Sequence, residues 1–536
     1  MPKVVIDNKE VQVSDGATLL QAAAQAGIAI PTLCYLDGCA PPTSCLVCVV
    51  AVKGQDRLLP ACATVAQEGM VVGSQTPSVL AARRAALELL LSDHVGDCIA
   101  PCQSACPAHM DIPRMLRALA GGDDALAAAI AKEAIPLPAV LGRICPAPCE
   151  KACRRGAIDQ PVPICLLKRF AGDWALGHKE DEPSAPPPTS GKKVAVVGAG
   201  PAGLTAAWYL RLSGHAITLF DRQEAPGGAM RQIPPDRLRA EVLSAEAGMI
   251  LRQGVEYRPN SQITPADLAD LATQFDAVLV ATGQAGAADA LIDPSAVDKS
   301  ALRLAGGNIF AAGAVLGAHR LAVRALAQGR QVARSVDLYL RGQAILPAPR
   351  PFTCRMGHLT QEELKELLAQ AEPCGAETPA GGTVPGGTGF QPVHGTGYKP
   401  VPPGNLEGFS VDQARRQARR CLHCDCRKAD NCRLRDRAAE LEAKPGRYTG
   451  QRRQLRLFRQ VGGGVYEPGK CISCGLCVQI TQEQSERLGL AFVGRGFSVR
   501  VAVPFEESIS AGLAKTARRC VQACPTGALA EDNAPK

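Results

Sequence analysis

The residues in this chain best equipped to do chemistry are its cysteines, 23 among 536 residues. Eighteen of them fall into five spaced groups: Cys34, Cys45, Cys48 and Cys62; Cys98, Cys102 and Cys106; Cys145, Cys149 and Cys153; Cys421, Cys424, Cys426 and Cys432; and Cys471, Cys474 and Cys477 with a distant Cys524. Thiolates at such spacings hold iron–sulfur clusters, whose chemistry is the transfer of single electrons. Thiolates reserved for metal belong in a reducing compartment, where disulfide frameworks do not persist. Residues 1–9 carry neither a charged n-region nor an apolar core. The longest apolar stretch, 194–212, is interrupted by Gly and Pro in a way that a bilayer-spanning segment is not. The chain is therefore expected in the cytoplasm, without membrane insertion.

The formal net charge of +8 counts every cysteine as neutral, whereas a cluster held by four thiolates carries about −2. Loaded with clusters, the chain is not expected to be basic overall. Residues 411–460 are locally basic, with 15 Lys and Arg against 6 Asp and Glu. This reads as a solvated helix face that compensates nearby cluster charge, and not as a nucleic-acid site. The sequence offers no Ser/His/Asp constellation, no paired acid and base carboxylates and no P-loop.

Stepping from the cysteines to the elements that position them, residues 1–77 read as a β-grasp. Strands 4–6 and 11–13 flank the polar turn 7–10, and a helix over 18–26 follows, with Ser14 or Asp15 near its start and Gly27 past its end. Cys45 and Cys48, three apart on a loop, suit one iron, with Cys34 and Cys62 closing the other side of a two-iron rhomb. The spacing C-x10-C-x2-C-x13-C resembles the [2Fe-2S] domain of the large iron–sulfur subunit of NADH:quinone oxidoreductases and related hydrogenases. Cys39 reads as a spare thiol.

A helical module spans 78–178, containing "APCQSACPAHMDIP" and "GRICPAPCEKAC". Those phrases resemble the N-terminal double [4Fe-4S] domain of the glutamate synthase small subunit and dihydropyrimidine dehydrogenase. The resemblance implies interleaved clusters: Cys98, Cys102 and Cys153 on one, Cys106, Cys145 and Cys149 on the other, each one ligand short. His94 stands at the family's first ligand position, as a ligand or as a capping or surface residue. Lys168 stands where the family has Gln or Glu. Cys165, one turn earlier on the same helix face, is the substitute, or that iron is left open.

After a linker over 179–190, strand 193–197 runs into Gly198-Ala-Gly200-Pro-Ala-Gly203 and a helix, and Asp221 ends a second strand. Tight turn, helix N-terminus and acid together are the dinucleotide fingerprint. With Gly228 and Gly313, the stretch 191–342 resembles the FAD-binding domain of the glutamate synthase small-subunit family. That family carries a second Rossmann domain for NADPH between its Ala-Thr-Gly and its later glycine. Here only about 25 residues separate Gly283 from Asn308, where the stretch leading to Gly313 begins, and none forms a second glycine loop, so the nicotinamide site is expected to be missing. Ala314 stands in place of the family's flavin-contacting Asp, which leaves open a flavin fold kept only as a scaffold.

Residues 343–408 read as a Gly/Pro-rich linker, and Cys354 and Cys374 within it receive no role. In the basic module 409–460, the run Cys421 to Cys432 suits a [4Fe-4S] cube or a tetrahedral Zn²⁺. In 461–536, Cys471, Cys474, Cys477 and Cys524 resemble a [4Fe-4S] module of the same NADH dehydrogenase large subunit, with Cys520 spare or competing. The fold class expected is multidomain α/β: a β-grasp [2Fe-2S] domain, a helical double [4Fe-4S] domain, a Rossmann-like FAD domain lacking its NAD(P)H partner, and a C-terminal ferredoxin-like cluster domain. The function expected is an electron-transfer oxidoreductase subunit relaying electrons between FAD and a protein partner, which could be an NADH-oxidising flavoprotein, a hydrogenase or a molybdopterin dehydrogenase. The alternatives are an NAD(P)H-linked FAD oxidoreductase acting on a small substrate with a partner chain, and a non-enzymatic redox sensor or scaffold.

Overall fold

The computed structural model describes residues 1–178, 189–283, 290–317, 321–348, 351–369, 408–448, 450, 452–459 and 464–531. Contacts divide the chain into two compact units: 1–100 with 350–370 and 423–534, and 101–349 with 371–422.

The first unit opens with a five-stranded sheet in the order Lys9–Gln12, Lys3–Ile6, Val71–Gly73, Val49–Val52, Leu59–Pro60. Val4, Ile6, Leu19, Val50 and Val52 bury their side chains together between sheet and helix. The hairpin expected at 7–10 is present, with Asp7 and Asn8 at positive φ. Helix Leu19–Gln25 starts at Thr18 and not at Ser14 or Asp15: the Gln21 N–H donates to Thr18 Oγ1 while the Thr18 N–H donates to Gln21 Oε1. Helix Pro77–Ser92 follows, and its fully buried Arg83 donates twice to the Val49 carbonyl.

The reading of 343–408 as linker is corrected over 351–369. Helix Gln361–Leu368 forms there, capped by Thr360, and buried Glu363 pairs with Arg452 and accepts the Leu455 N–H. A carboxylate with three such donors fixes a short amphipathic helix that propensity alone would leave marginal. Within that stretch, the short repeat Gly-Thr-Gly-Phe-Gln-Pro-Val and Gly-Thr-Gly-Tyr-Lys-Pro-Val at 387–401 and Cys374 lie outside the described residues. The unit is completed by the three-stranded sheet Phe458–Arg459, Gly464–Tyr466, Leu529–Glu531 and by helices Leu476–Glu483 and Ala517–Ala523.

In the second unit, helices Ile112–Gly121, Asp124–Ala134, Pro138–Ile144 and Ile164–Gly177 share one apolar core with a seven-stranded sheet. The sheet runs Val297–Asp298, Arg303–Leu304, Ile309–Ala311, Ala277–Val280, Lys193–Val197, Ala216–Phe220, Val255–Arg258, parallel from Ile309–Ala311 onward. Between Gly283 and Gly313 the described residues form a short helical turn, Pro294–Ala296, and three short strands, of which Ile309–Ala311 joins the parallel sheet. Helix Val411–Arg419 buries Ala414 and Ala418 in the same core and forks Arg415 onto Asp124. The stretch 409–460 is therefore not one module: its first helix belongs to the second unit and residues from 423 onward to the first. Among the described residues no single helix is long and apolar enough to cross a membrane.

Candidate iron–sulfur and dinucleotide sites

In the β-grasp, Cys34 Sγ lies 3.3 Å from Cys45 Sγ, and Cys48 Sγ lies 3.3 Å from Cys62 Sγ. Both separations exceed a disulfide bond of about 2.05 Å, and no described cysteine is disulfide-bonded. The sequence reading put Cys45 and Cys48 on one iron, whereas here Cys45 lies beside Cys34 and Cys48 beside Cys62. Leu46 sits in the left-handed region at φ 53°, and the loop so turned hands each near cysteine to a distant one. Within each pair the hydrogen bond from one thiol holds the other down, Cys34 to about 5 and Cys48 to about 7, against burial. Two pairs of adjoining thiols are what two irons, each with two thiolates, require. Cys39 stands apart, its thiol donating to Glu483 Oε1 at 3.0 Å.

Cys471, Cys474, Cys477 and Cys524 line one small cavity whose other walls include Tyr466, Val501 and Leu529. The Ser473 N–H donates to Cys471 Sγ at 3.4 Å, and Thr526 Oγ1 lies 3.7 Å from Cys524 Sγ. Hydrogen bonds to sulfur are among the levers that set cluster potential. Cys520, the spare of this module, donates to the Cys477 carbonyl instead.

Cys98 lies against Cys354, to which the sequence assigned no role. The Cys354 N–H donates to Cys98 Sγ at 3.4 Å, and the Cys98 N–H donates to the Cys354 carbonyl at 3.3 Å. The hydrogen bond from Cys354 holds the Cys98 thiol down to about 7, and the charges of Cys426 and Cys432 act on Cys354 in turn. The run Cys421 to Cys432 is therefore divided, its last two cysteines standing with Cys98 and Cys354. His94 Nδ1 is buried without a hydrogen-bond partner. Burial, with the charge of Lys470 beside it, pushes His94 down to about 4, so the ring is neutral.

In the second unit the structure brings Cys106, Cys145, Cys149 and Cys165 together around Lys168. Lys168 Nζ lies 3.7 Å from Cys165 Sγ. Burial would lower its ammonium, but the charges of Cys165, Cys145, Cys149 and Cys106 outweigh burial and raise it. Lys168 is thus a buried cation facing four thiols and not a ligand. The Cys165 N–H donates to Glu150 Oε1 at 2.7 Å, fixing the start of its helix. Cys102, Cys153 and Cys421 lie half-buried against the same core.

The dinucleotide cleft has a volume of about 810 Å³ and is lined by Gly198, Gly200, Asp221, Gly228 and Gly313. A Cβ on Gly203 would stand 1.8 Å from the Gly198 carbonyl oxygen, so helix Pro201–Leu212 can seat on its strand only through glycine. A Cβ on Gly200 would meet nothing within 4 Å; it would project into the cleft where a pyrophosphate approaches the backbone. Asp221 Oδ2 accepts the Ala199 N–H at 2.6 Å and Oδ1 the Gln223 N–H at 2.8 Å, so the acid expected at a ribose also ties down the glycine loop. Ile144, Cys145 and Pro146 line the same cleft.

No three His, Cys, Asp or Glu side chains among the described residues converge as they would round a single ion. Zinc, with Zn–S of about 2.3 Å, needs that closer set; a polynuclear cluster takes thiols spread more widely.

Comparison with known proteins finds three family matches in this chain. Residues 3–77 match the 2Fe-2S iron-sulfur cluster binding domain, residues 94–180 the 4Fe-4S cluster domain II of dihydropyrimidine dehydrogenase, and residues 196–259 an NAD(P)-binding Rossmann-like domain. The NADPH-Fe(3+) oxidoreductase subunit beta of Geobacter sulfurreducens is 41% identical over 188 residues, 34% of this chain and 28% of that protein. The NADP(+)-dependent formate dehydrogenase subunit beta of Moorella thermoacetica is 37% identical over 34% of this chain and 29% of its own length. The glutamate synthase [NADPH] small chain of Bacillus subtilis is 36% identical over 29% and 32%. The matched region thus spans less than a third of each of these relatives. The chain carries 2Fe-2S and 4Fe-4S cluster domains, and the resemblance to the glutamate synthase small-subunit and dihydropyrimidine dehydrogenase proteins is borne out.

Proposed function

We propose that this chain is an electron-relay subunit of a multi-subunit oxidoreductase, holding FAD in the 198–313 cleft and exchanging electrons with a protein partner. The observation that carries the reading is Cys145: its loop brings one of four grouped thiols to the wall of the dinucleotide cleft. Clusters would supply one-electron steps and a flavin two-electron steps. The chain's own residues do the positioning. Gly200 leaves room for a pyrophosphate, Asp221 fixes the loop that cradles it, and Lys168 offsets cluster charge beneath it. In the first unit Cys34 and Cys45 share a single apolar cluster with Cys354, Cys432 and Cys474, so successive sites are separated by packed side chains and not by water. The names of the relatives, beta subunits of an NADPH-Fe(3+) oxidoreductase and of a formate dehydrogenase, favour a dehydrogenase partner.

A second reading follows from the NAD(P)-binding family matched at 196–259: the cleft takes a nicotinamide dinucleotide directly. Gly200→Val separates cradle from scaffold, because its φ of −77° suits valine and its side chain would fill only the cleft. The expected result is at least a tenfold fall in flavin released from purified protein, with iron content unchanged. Flavin retained at the wild-type level, or wild-type protein without flavin, would remove FAD from the cleft and leave the nicotinamide reading.

A further inference from the structure

We propose that Cys98, Cys354, Cys426 and Cys432 are the ligand set of one [4Fe-4S] cluster, with Cys354 delivered by the short ordered segment 351–369. The proposal takes from the relay reading only the choice of iron as the metal.

Burial of cysteine is ordinary, since the thiol behaves as a small hydrophobe. This group is set apart by how its members meet. Cys98 and Cys354, 256 residues apart, exchange main-chain and thiol hydrogen bonds, and the Cys426 N–H donates to the Cys98 carbonyl at 3.4 Å. Cys354, Cys426 and Cys432 are 4–6% exposed. A single loop braces the last two: Cys432 Sγ lies 3.9 Å from the Pro525 carbonyl oxygen, the Leu434 N–H donates to the same carbonyl, and a Cβ on Gly527 would stand 2.6 Å from Cys426 Sγ. Glycine is thus needed to let that thiol sit where it does.

The charge around the group fits a dianionic cluster. Lys470, 4% exposed, reaches the same place, its Cδ lying 3.5 Å from the position of a Gly527 Cβ. Lys470 and Arg427 both pair with buried Glu467, and the charges of Arg435 and Lys470 act on Cys98. Cations so placed favour the negative charge of thiolates round iron. On loading, each thiol releases its proton to solvent as its Sγ–Fe bond forms, with the four iron and four sulfide ions arriving as a preassembled cluster.

The segment that carries Cys354 is held in place independently of any metal. Glu363 locks its helix onto Arg452 and Leu455, and the Met356 N–H donates to buried Asp97 Oδ1 at 3.0 Å. It therefore presents its cysteine to residues 98, 426 and 432 before iron arrives.

The test is metal content and spectroscopy on the full chain, purified anaerobically and reduced with dithionite. Cys354→Ala should lose about four iron and four sulfide per chain and one [4Fe-4S] component of the electron paramagnetic resonance spectrum, with the [2Fe-2S] component kept. Cys432→Ala should lose the same component. The double variant should lose no more than either single one, and the [2Fe-2S] component kept in all three separates ligand loss from general unfolding. Cys39→Ser, outside the group, should keep wild-type iron. Full iron and an unchanged spectrum in Cys354→Ala would overturn the ligand set, and so would loss of one zinc in place of iron. Dithionite reduces clusters whether or not the chain relays electrons, so the ligand set can stand if the relay reading fails.

Discussion

Lys168 is the residue on which the electrostatics of the second unit turn. Its ammonium is buried 3.7 Å from Cys165 Sγ, where a unit charge at an effective dielectric near 20 is worth a few kcal/mol. Reduction adds negative charge, so a nearby cation raises the potential. With a cluster held by Cys106, Cys145, Cys149 and Cys165, as the relay reading proposes, Lys168→Met should lower its potential by roughly 100 mV, read by redox titration followed by electron paramagnetic resonance. An unchanged or higher potential would place that cluster elsewhere. At this scale the sequence was legible where residues are consecutive: Gly198, Gly200 and Asp221 line the cleft and Gly203 seats the helix against the glycine loop, as the fingerprint implies. It was not legible where partners come from afar. Cys354 has no neighbour at ligand spacing, and only a charged helix start, Thr360 to Glu363, hints that its segment is ordered.

The elements that matter most are helices Pro138–Ile144 and Ile164–Gly177, because one leads into Cys145 and the other carries Cys165 and Lys168. They touch through glycine: a Cβ on Gly172 would stand 2.3 Å from the Ala139 nitrogen. The N-terminus of Pro138–Ile144 is anchored by Glu246, whose carboxylate accepts the Ala139 and Val140 N–H groups at 2.7 Å each. Gly172→Val must push the helices apart, at a cost of about 1–3 kcal/mol for overpacking. It should lower the unfolding temperature and remove about four iron per chain. Gly177→Val, on the same helix with nothing within 4 Å, should do neither. Wild-type iron in Gly172→Val would mean that helix spacing does not set the thiol group. The strands and long helices here were foreseeable from apolar periodicity and Gly/Pro punctuation. The split of 409–460 between two units was not, because Ala414 and Ala418 read as a weak apolar stripe until the core they enter is known.

At the scale of the whole molecule, thiol groups are spread over both units, while the dinucleotide cleft lies in the second. The described residues between Gly283 and Gly313 hold one short helical turn and three short strands, the last of them paired with Ala277–Val280 inside the sheet, where a nucleotide-binding domain would need a full βαβ unit. On the proposed reading such a chain stores electrons and exchanges them with a protein partner. The most direct measurement is anaerobic. Purified chain is assayed for iron, sulfide and flavin and then mixed separately with NADH and NADPH while flavin and cluster absorbance is followed, with dithionite as the reference for full reduction. The account predicts bound flavin, several clusters, bleaching by dithionite and none by either nucleotide until a partner dehydrogenase is added. Rapid bleaching by NADH or NADPH alone would contradict it, and would make the chain a nicotinamide-dependent enzyme in its own right.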